Sequence, residues 1–288
     1  MQIISCSHGR HLGRFIAKNL KEKHSELLVK KFPDGELNVR IGCNVSKEKV
    51  VLVQSFYGCI NDCIIEAVFA ARTAHDLGAM EVALVAPYFP YMRQDKMFHP
   101  GEAISQNIVA GIVDCYFDCT YIMDPHLHRK DNLGGIFKTR TVRMTANELM
   151  AGYIKNNIKN PVIIGPDEES HKWARNVADI MGIESLILSK KRYSSYDVKV
   201  RFKKIDYLKG KNVVIVDDIV STGHTILETA KSLKKNRVKK IYCICVHGIF
   251  AGDALTRLLK AGIKVVSTNT IPNKSAMIDI SKVIADAL

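Results

Sequence analysis

Two adjacent carboxylates, Asp217 and Asp218, follow the β-branched run Val213-Val214-Ile215-Val216 and precede Ile219-Val220 and the polar string Ser221-Thr222-Gly223-His224-Thr225. A buried strand that ends in acids can present them to the hydroxyls of a sugar. The hydroxyls and backbone N–H groups of Ser221, Thr222 and Thr225 can converge on a phosphate at the start of the next helix, where the dipole favours an anion. That helix is predicted from Ile226, Leu227, Ala230 and Leu233, which share one face at helical spacing. The plainer alternative is a strand-turn-helix corner whose hydroxyls only cap the helix. Paired acids at a strand end have little structural use, so the ligand reading is preferred.

Five further stretches carry charged or polar groups, four of them at the ends of apolar runs. Arg93, Gln94, Asp95 and Lys96 close the aromatic loop Pro87-Tyr88-Phe89-Pro90-Tyr91-Met92; the guanidinium is a planar fork for phosphate, and alone the group would read as a surface salt-bridge loop. Asp124-Pro125-His126-Leu127-His128 follows Thr120 to Met123, and a histidine just past a strand can bind a divalent cation or orient a phosphate, although a lone one is more often a polar loop residue. Asp167, in Pro166-Asp167-Glu168-Glu169-Ser170, follows Val162-Ile163-Ile164-Gly165. Ser189 to Ser195 holds Lys190, Lys191 and Arg192 in a polar stretch without periodicity, which reads as a mobile loop after the strand Leu186-Ile187-Leu188. Lastly, Phe32-Pro33-Asp34-Gly35-Glu36 is a turn in which Pro33 and Gly35 present a ring and two carboxylates together.

The stretch 213–225 resembles the phosphoribosyl-pyrophosphate loop shared by type I phosphoribosyltransferases and ribose-phosphate pyrophosphokinases. The other stretches resemble the pyrophosphokinases in particular, and the likeness runs over essentially the whole chain. It implies an enzyme that joins ATP and ribose 5-phosphate to give AMP and 5-phosphoribosyl 1-pyrophosphate. By resemblance, Asp217 and Asp218 meet the ribose, and Ser221, Thr222, Gly223, His224 and Thr225 hold the 5-phosphate. Phe32, Asp34, Gly35 and Glu36, with Arg93, Gln94 and Asp95, bind ATP, the first group often in a neighbouring subunit's site. His126 and Asp167 serve Mg²⁺, with His128 a weaker candidate, and Lys190 and Arg192 are the catalytic cations of a closing loop. Two departures stand out. His224 occupies a position where glycine is common, so the backbone there must tolerate a side chain, and Glu168 and Glu169 stand where small residues are usual. Two rival readings remain at this stage. A phosphoribosyltransferase would share 213–225 and have no use for the Phe32 or Arg93 segments; a non-catalytic nucleotide-binding regulatory subunit would lose Lys190 and Arg192.

The elements that must position these groups alternate strand and helix from end to end, the pattern of an α/β protein with mainly parallel sheets. Two similar domains of the type I phosphoribosyltransferase kind are expected, 1–144 for ATP and 145–288 for ribose 5-phosphate, facing one cleft, with the last helix free to return to the first domain. A capping box of Thr145 and Glu148 is expected to open the second. Predicted helix faces are Leu12, Phe15, Ile16 and Leu20; then Ile64, Ile65, Val68 and Phe69, stopping at Gly78; then Ile104, Ile108, Val109 and Ile112. A C-terminal helix is expected from about residue 275. The chain of 288 residues has a 47% hydrophobic and 25% charged composition, with no apolar run long enough to span a bilayer. No secretory leader is read at Met1, and the eight cysteines form no CxxC framework, so reduced thiols in a cytoplasmic protein are expected. The net charge of +13 fits anionic partners. Small phosphate substrates account for it more economically than nucleic acid, because no aromatic-basic motif accompanies the lysines. Self-association into at least a dimer is expected by resemblance, and no membrane partner.

Overall fold

Aliphatic, β-branched runs form strands that parallel sheets bury on both faces, and helices return the chain between them. The computed structural model describes residues 1–127, 132–167, 170–187, 189–192, 198–201 and 208–288. His128, Glu168 and Glu169, singled out in the sequence, lie outside the described residues. Contacts divide the chain into two units: Met1–Thr145 with Ile280–Leu288, and Ala146–Asp279.

The first unit runs β1 (Gln2–Ser5), α1 (Arg10–Leu20), β2 (Lys23–Glu26), β3 (Leu28–Lys31), β4 (Leu37–Arg40), β5 (Lys49–Val53), α2 (Ile60–Asp76), β6 (Glu81–Ala86), α3 (Ser105–Tyr116), β7 (Cys119–Met123) and β8 (Arg140–Met144). Its main sheet has the order β2-β1-β5-β6-β7-β8 and is parallel throughout, while β3 and β4 form a separate antiparallel hairpin. Leu52, Leu84, Ile122 and Phe56 anchor its core beneath the alanines of α2.

The second unit runs α4 (Asn147–Asn157), β9 (Pro161–Gly165), α5 (His171–Met181), β10 (Ser185–Ile187), β11 (Ser189–Arg192), β12 (Val198–Arg201), β13 (Asn212–Val220), α6 (His224–Lys235), β14 (Lys240–Gly248), α7 (Ala254–Lys260), β15 (Ile263–Thr268) and β16 (Ala276–Ile278). Its sheet, β10-β9-β13-β14-β15-β16, is again parallel. Its core centres on Ile164, Val213, Ile215, Leu233 and Cys243. The final helix, α8 (Ser281–Ala287), belongs to the first unit, where Asn19 Nδ2 donates to Ser281 Oγ at 3.2 Å.

Several expected details differ. Phe15 is exposed on α1, where Leu12, Gly13, Ile16 and Ala17 are buried. On α2 the buried face is Cys63, Glu66, Ala67, Ala70, Ala71 and Ala74, whereas Ile65 and Phe69 are each 45% exposed. Ile108 and Ile112 are likewise exposed on α3, with Gln106, Val109, Ala110 and Val113 inward. Small side chains let these helices lie close to the sheet, so the bulkier stripe is turned out. The capping box is not formed: α4 begins at Asn147, with Ala146 at the N-cap and no side-chain cap bond. Residues 276–278 are a strand and the last helix starts only at Ser281, since the edge of the sheet captures the chain first. Lys190 and Arg192 lie on a strand rather than in an irregular loop, as β11 and β12 pair antiparallel with Lys190 opposite Val200 and Arg192 opposite Val198. All eight cysteines are free thiols; Cys6, Cys63, Cys119, Cys243 and Cys245 are buried, and Cys59 and Cys115 exposed. Among the described residues no helix is long and apolar enough to cross a membrane.

Candidate active site

In the second unit, β13 pairs with β9 only from Asn212 to Ile215, while β14 accompanies it to Val220. The strand therefore runs on through both acids instead of ending before them, and the loop starts at Ser221. Beside this overhang β9 turns off at Gly165. A Cβ there would lie 2.7 Å from the Cα of His171, so glycine is required for α5 to start so close to the strand. The turn carries Asp167, whose Oδ1 accepts the Ser170 N–H at 2.8 Å, and the Ser170 side chain in turn hydrogen-bonds Asp217. Asp217 and Asp218 are 8% and 2% exposed, and their Oδ1 atoms accept the next backbone N–H in the chain, Asp218 N at 2.9 Å and Ile219 N at 2.8 Å. Burial, then the neighbouring Asp218 carboxylate, push Asp217 well above the usual carboxylate range; Ser170 pulls the other way, and Asp167 adds to the rise. Acids from two adjacent strand ends thus crowd one spot, which favours a cation or a ligand rich in hydroxyl donors.

The loop after β13 is built to leave donors available. Gly223 is the N-cap of α6 at φ 69°, with no side-chain cap bond, and a Cβ there would come within 3.2 Å of Leu258 Cδ1. The positive φ therefore falls on Gly223, and His224 is the first helical residue, exposed, with its side chain tolerated. The carbonyls are tied back instead: Val220 and Ser221 accept from Phe250 N at 3.0 Å and Ala251 N at 3.1 Å, and Thr222 accepts from Arg257 Nη2 at 3.1 Å. With its carbonyls anchored elsewhere, the loop offers hydroxyls and the first-turn N–H groups, which have no partner within the helix.

In the first unit, β6 and β7 pair side by side, with Ala86 opposite Ile122, so their following loops emerge together. The β6 loop is braced at Tyr91, at φ 61°, whose hydroxyl donates to Asn61 Oδ1 at 2.6 Å. Buried Met92 comes next, and the start of α3 holds Gln94: Ser105 Oγ donates to its Oε1 at 2.9 Å and Gln106 N to its carbonyl at 3.2 Å. Arg93 is exposed between these anchors, and Asp95 is half-buried. Past β7, buried Asp124 at φ 34° reverses the chain, its N–H bonded to Met144 O at 2.9 Å, and half-buried His126 follows.

Phe32, Asp34, Gly35 and Glu36 form the tip of the β3–β4 hairpin rather than part of the main sheet. Phe32 N donates to Glu36 O at 2.8 Å, Gly35 N to Phe32 O at 2.9 Å, and Gly35 sits at φ 98°. The ring is 51% exposed. Lys190 and Arg192 lie on the backbone of β11, apart from both parallel sheets. Sequence reasoning missed Ser170, which touches two of the acids; the available signal was a serine three residues after an aspartate at a strand end. Among the described residues no three His, Cys, Asp or Glu side chains are placed to hold a metal by themselves.

Doubly repeated parallel α/β units with acids and an anion-ready loop at strand ends define a protein of the phosphoribosyl-handling α/β class. Residues 1–115 match the profile of the N-terminal domain of ribose phosphate pyrophosphokinase, and residues 134–281 that of the phosphoribosyl transferase domain. Ribose-phosphate pyrophosphokinases from Methanopyrus kandleri and Methanothermobacter thermautotrophicus are 33% and 35% identical, covering 100% and 99% of this chain and 98% and 99% of their own. That of Pyrococcus furiosus is 36% identical over 91% of this chain and 92% of its own. The crystal structure of phosphoribosylpyrophosphate synthetase from Mycobacterium smegmatis superposes with a TM-score of 0.87 at 25% identity, covering 99% of this chain and 97% of that one. The chain belongs to the ribose-phosphate pyrophosphokinase family.

Proposed function

We propose that this chain catalyses the reaction for which its family is named, transfer of the β,γ-diphosphoryl group of ATP to the anomeric hydroxyl of ribose 5-phosphate, releasing AMP. The observation that carries the site assignment is the pairing, on one strand, of buried Asp217 and Asp218 with a loop whose carbonyls are tied back and whose hydroxyls and N–H groups are presented. In this reading the two acids accept the ribose diol, and the loop from Ser221 to Thr225 clamps the 5-phosphate. Arg93, Gln94 and Asp95 take ATP at the end of β6. Hydrogen bonds at Tyr91 and Gln94 anchor their loop, and such positioning lowers the entropy cost of bringing two substrates into line.

The anomeric oxygen attacks the β-phosphorus as the bond to AMP breaks, and the attacking hydroxyl's proton leaves to solvent. Charge on the transferring group must be neutralised. Lys190 and Arg192 do this from β11, and bound Mg²⁺ would supply further neutralisation. Magnesium usually takes one or two carboxylates and completes its shell with phosphate oxygens and water. The crowded acids around Asp217 fit that habit. His126 would hold the ion carried by ATP, and Asp167 the ion at the ribose phosphate.

Self-association into at least a dimer completes the reading. The exposed Phe32 tip and the outward Ile65, Phe69 and Ile108 of the first unit are apolar groups that a second copy would cover. AMP release from Mg·ATP with and without ribose 5-phosphate tests the assignment. We expect sugar-dependent AMP in the intact protein and a loss of orders of magnitude in Lys190→Ala. No AMP from a protein that still binds ATP would sink the catalytic reading.

A further inference from the structure

Small phosphate substrates were expected to account for the net charge of +13, yet one group of cations lies away from the phosphate-type loop of the second unit. The loop from Ser221 follows the carboxyl end of β13, whereas a dense group of cations lies at the amino-terminal end of the same sheet. Lys239 and Lys240 lead into β14, Lys264 is the second residue of β15, Lys234 and Lys235 end α6, and Arg237 at φ 51° turns between them. Backbone bonds hold this rim together: Lys239 N donates to Lys211 O at 2.8 Å, and Gly210 N to Arg237 O at 3.1 Å. Among the described residues none of these six cations makes an ion pair. The macrodipole of α6 accounts for Lys234 and Lys235. It does not account for lysines that open neighbouring strands about 4.8 Å apart.

An open surface pocket of about 190 Å³ lies here, lined by Lys234, Lys239, Lys240 and Lys264 with Val238 and Ile241. Two of the cations have neighbours of their own. Lys234 Nζ donates to Ala261 O at 2.7 Å, and Lys264 Nζ stands 5.7 Å over the Tyr242 ring. With no carboxylate among its described lining residues, such a pocket suits a multiply charged anion, which would relieve the mutual repulsion of the lysines. Single-stranded nucleic acid gains much of its affinity by stacking bases on aromatic rings. Here no aromatic ring is among the described residues that line the pocket. We propose that this pocket binds a linear chain of phosphate groups without bases, of the inorganic polyphosphate class, at the opposite end of its sheet from the Ser221 loop.

The test is fluorescence anisotropy of end-labelled, medium-chain polyphosphate on the full-length protein, with a non-hydrolysable Mg·ATP analogue and ribose 5-phosphate present at saturation to fill the substrate sites. We expect salt-sensitive binding that weakens at least tenfold in Lys239→Glu/Lys240→Glu, with AMP formation within twofold of the parent. Should that variant fail to fold, Lys239→Gln/Lys240→Gln carries the same expectation at about fivefold. Absence of binding, equal binding by the variants, or displacement by the nucleotide analogue would overturn the proposal. Tighter binding of a single-stranded RNA oligonucleotide than of polyphosphate would replace it with a nucleic-acid surface.

Discussion

Asp217 combines two demands that conflict: it is buried beside another carboxylate, and the proposed chemistry needs it as an acceptor. A carboxyl whose folded pKa lies above its unfolded value keeps its proton in the folded state after the unfolded chain has lost it. Stability therefore falls as pH rises from about 4 through the folded pKa, and stays lowered above it. Asp217→Asn removes this penalty. We expect it to raise the melting temperature at pH 8, by about 2–4 °C for each kcal/mol regained, and to flatten the pH dependence of melting while sugar-dependent AMP formation collapses. Ser170→Ala acts on the same group with the opposite sense, because it removes a bond that favours the charged form. The acid limb of kcat/KM for ribose 5-phosphate should move to higher pH in Ser170→Ala and return in Ser170→Thr. A uniform loss of rate with an unmoved profile would show that Ser170 is only structural.

At the scale of elements, the helix faces show how a periodic pattern can be real and still point the wrong way. Ile65 and Phe69 share one stripe of α2, and Ala67, Ala70, Ala71 and Ala74 another; both recur at helical spacing, and the sheet takes the one that permits closer approach. The β13–α6 corner was more legible, because a β-branched run, paired acids and a hydroxyl–glycine string each have a local conformational reason. Its glycine is the sensitive point. Gly223→Ala must adopt φ 69° and meet Leu258, so we expect a loss of about 1–2 kcal/mol from the backbone alone. In the same variant the KM for ribose 5-phosphate should rise severalfold with that for ATP unchanged. Equal KM values for both substrates in parent and variant would remove this loop from the ribose-phosphate site.

At the scale of the molecule, the first unit is completed by the end of the chain. Ile280 and Ile284 of the last segment are fully buried in it. Burying such a side chain contributes about 1.5–3 kcal/mol, so ending the chain at Asp279 should cost the first unit roughly 3–6 kcal/mol and leave the second intact. Calorimetry should then resolve an early transition that the full chain lacks; a single unchanged transition would refute this role for α8. The alternation of strands and helices, the turn at Pro33 to Gly35, and the order of acids, hydroxyls and glycine after Val216 were determined by the sequence alone, because each rests on residues within one turn or strand of one another. Only the tertiary structure decided which helix stripe is buried, that α8 returns to the first unit, and that β13 overhangs β9 so that Asp217 meets Asp167 and Ser170. Those outcomes depend on contacts between residues far apart in the chain, and no local pattern encodes which distant surface a segment will meet.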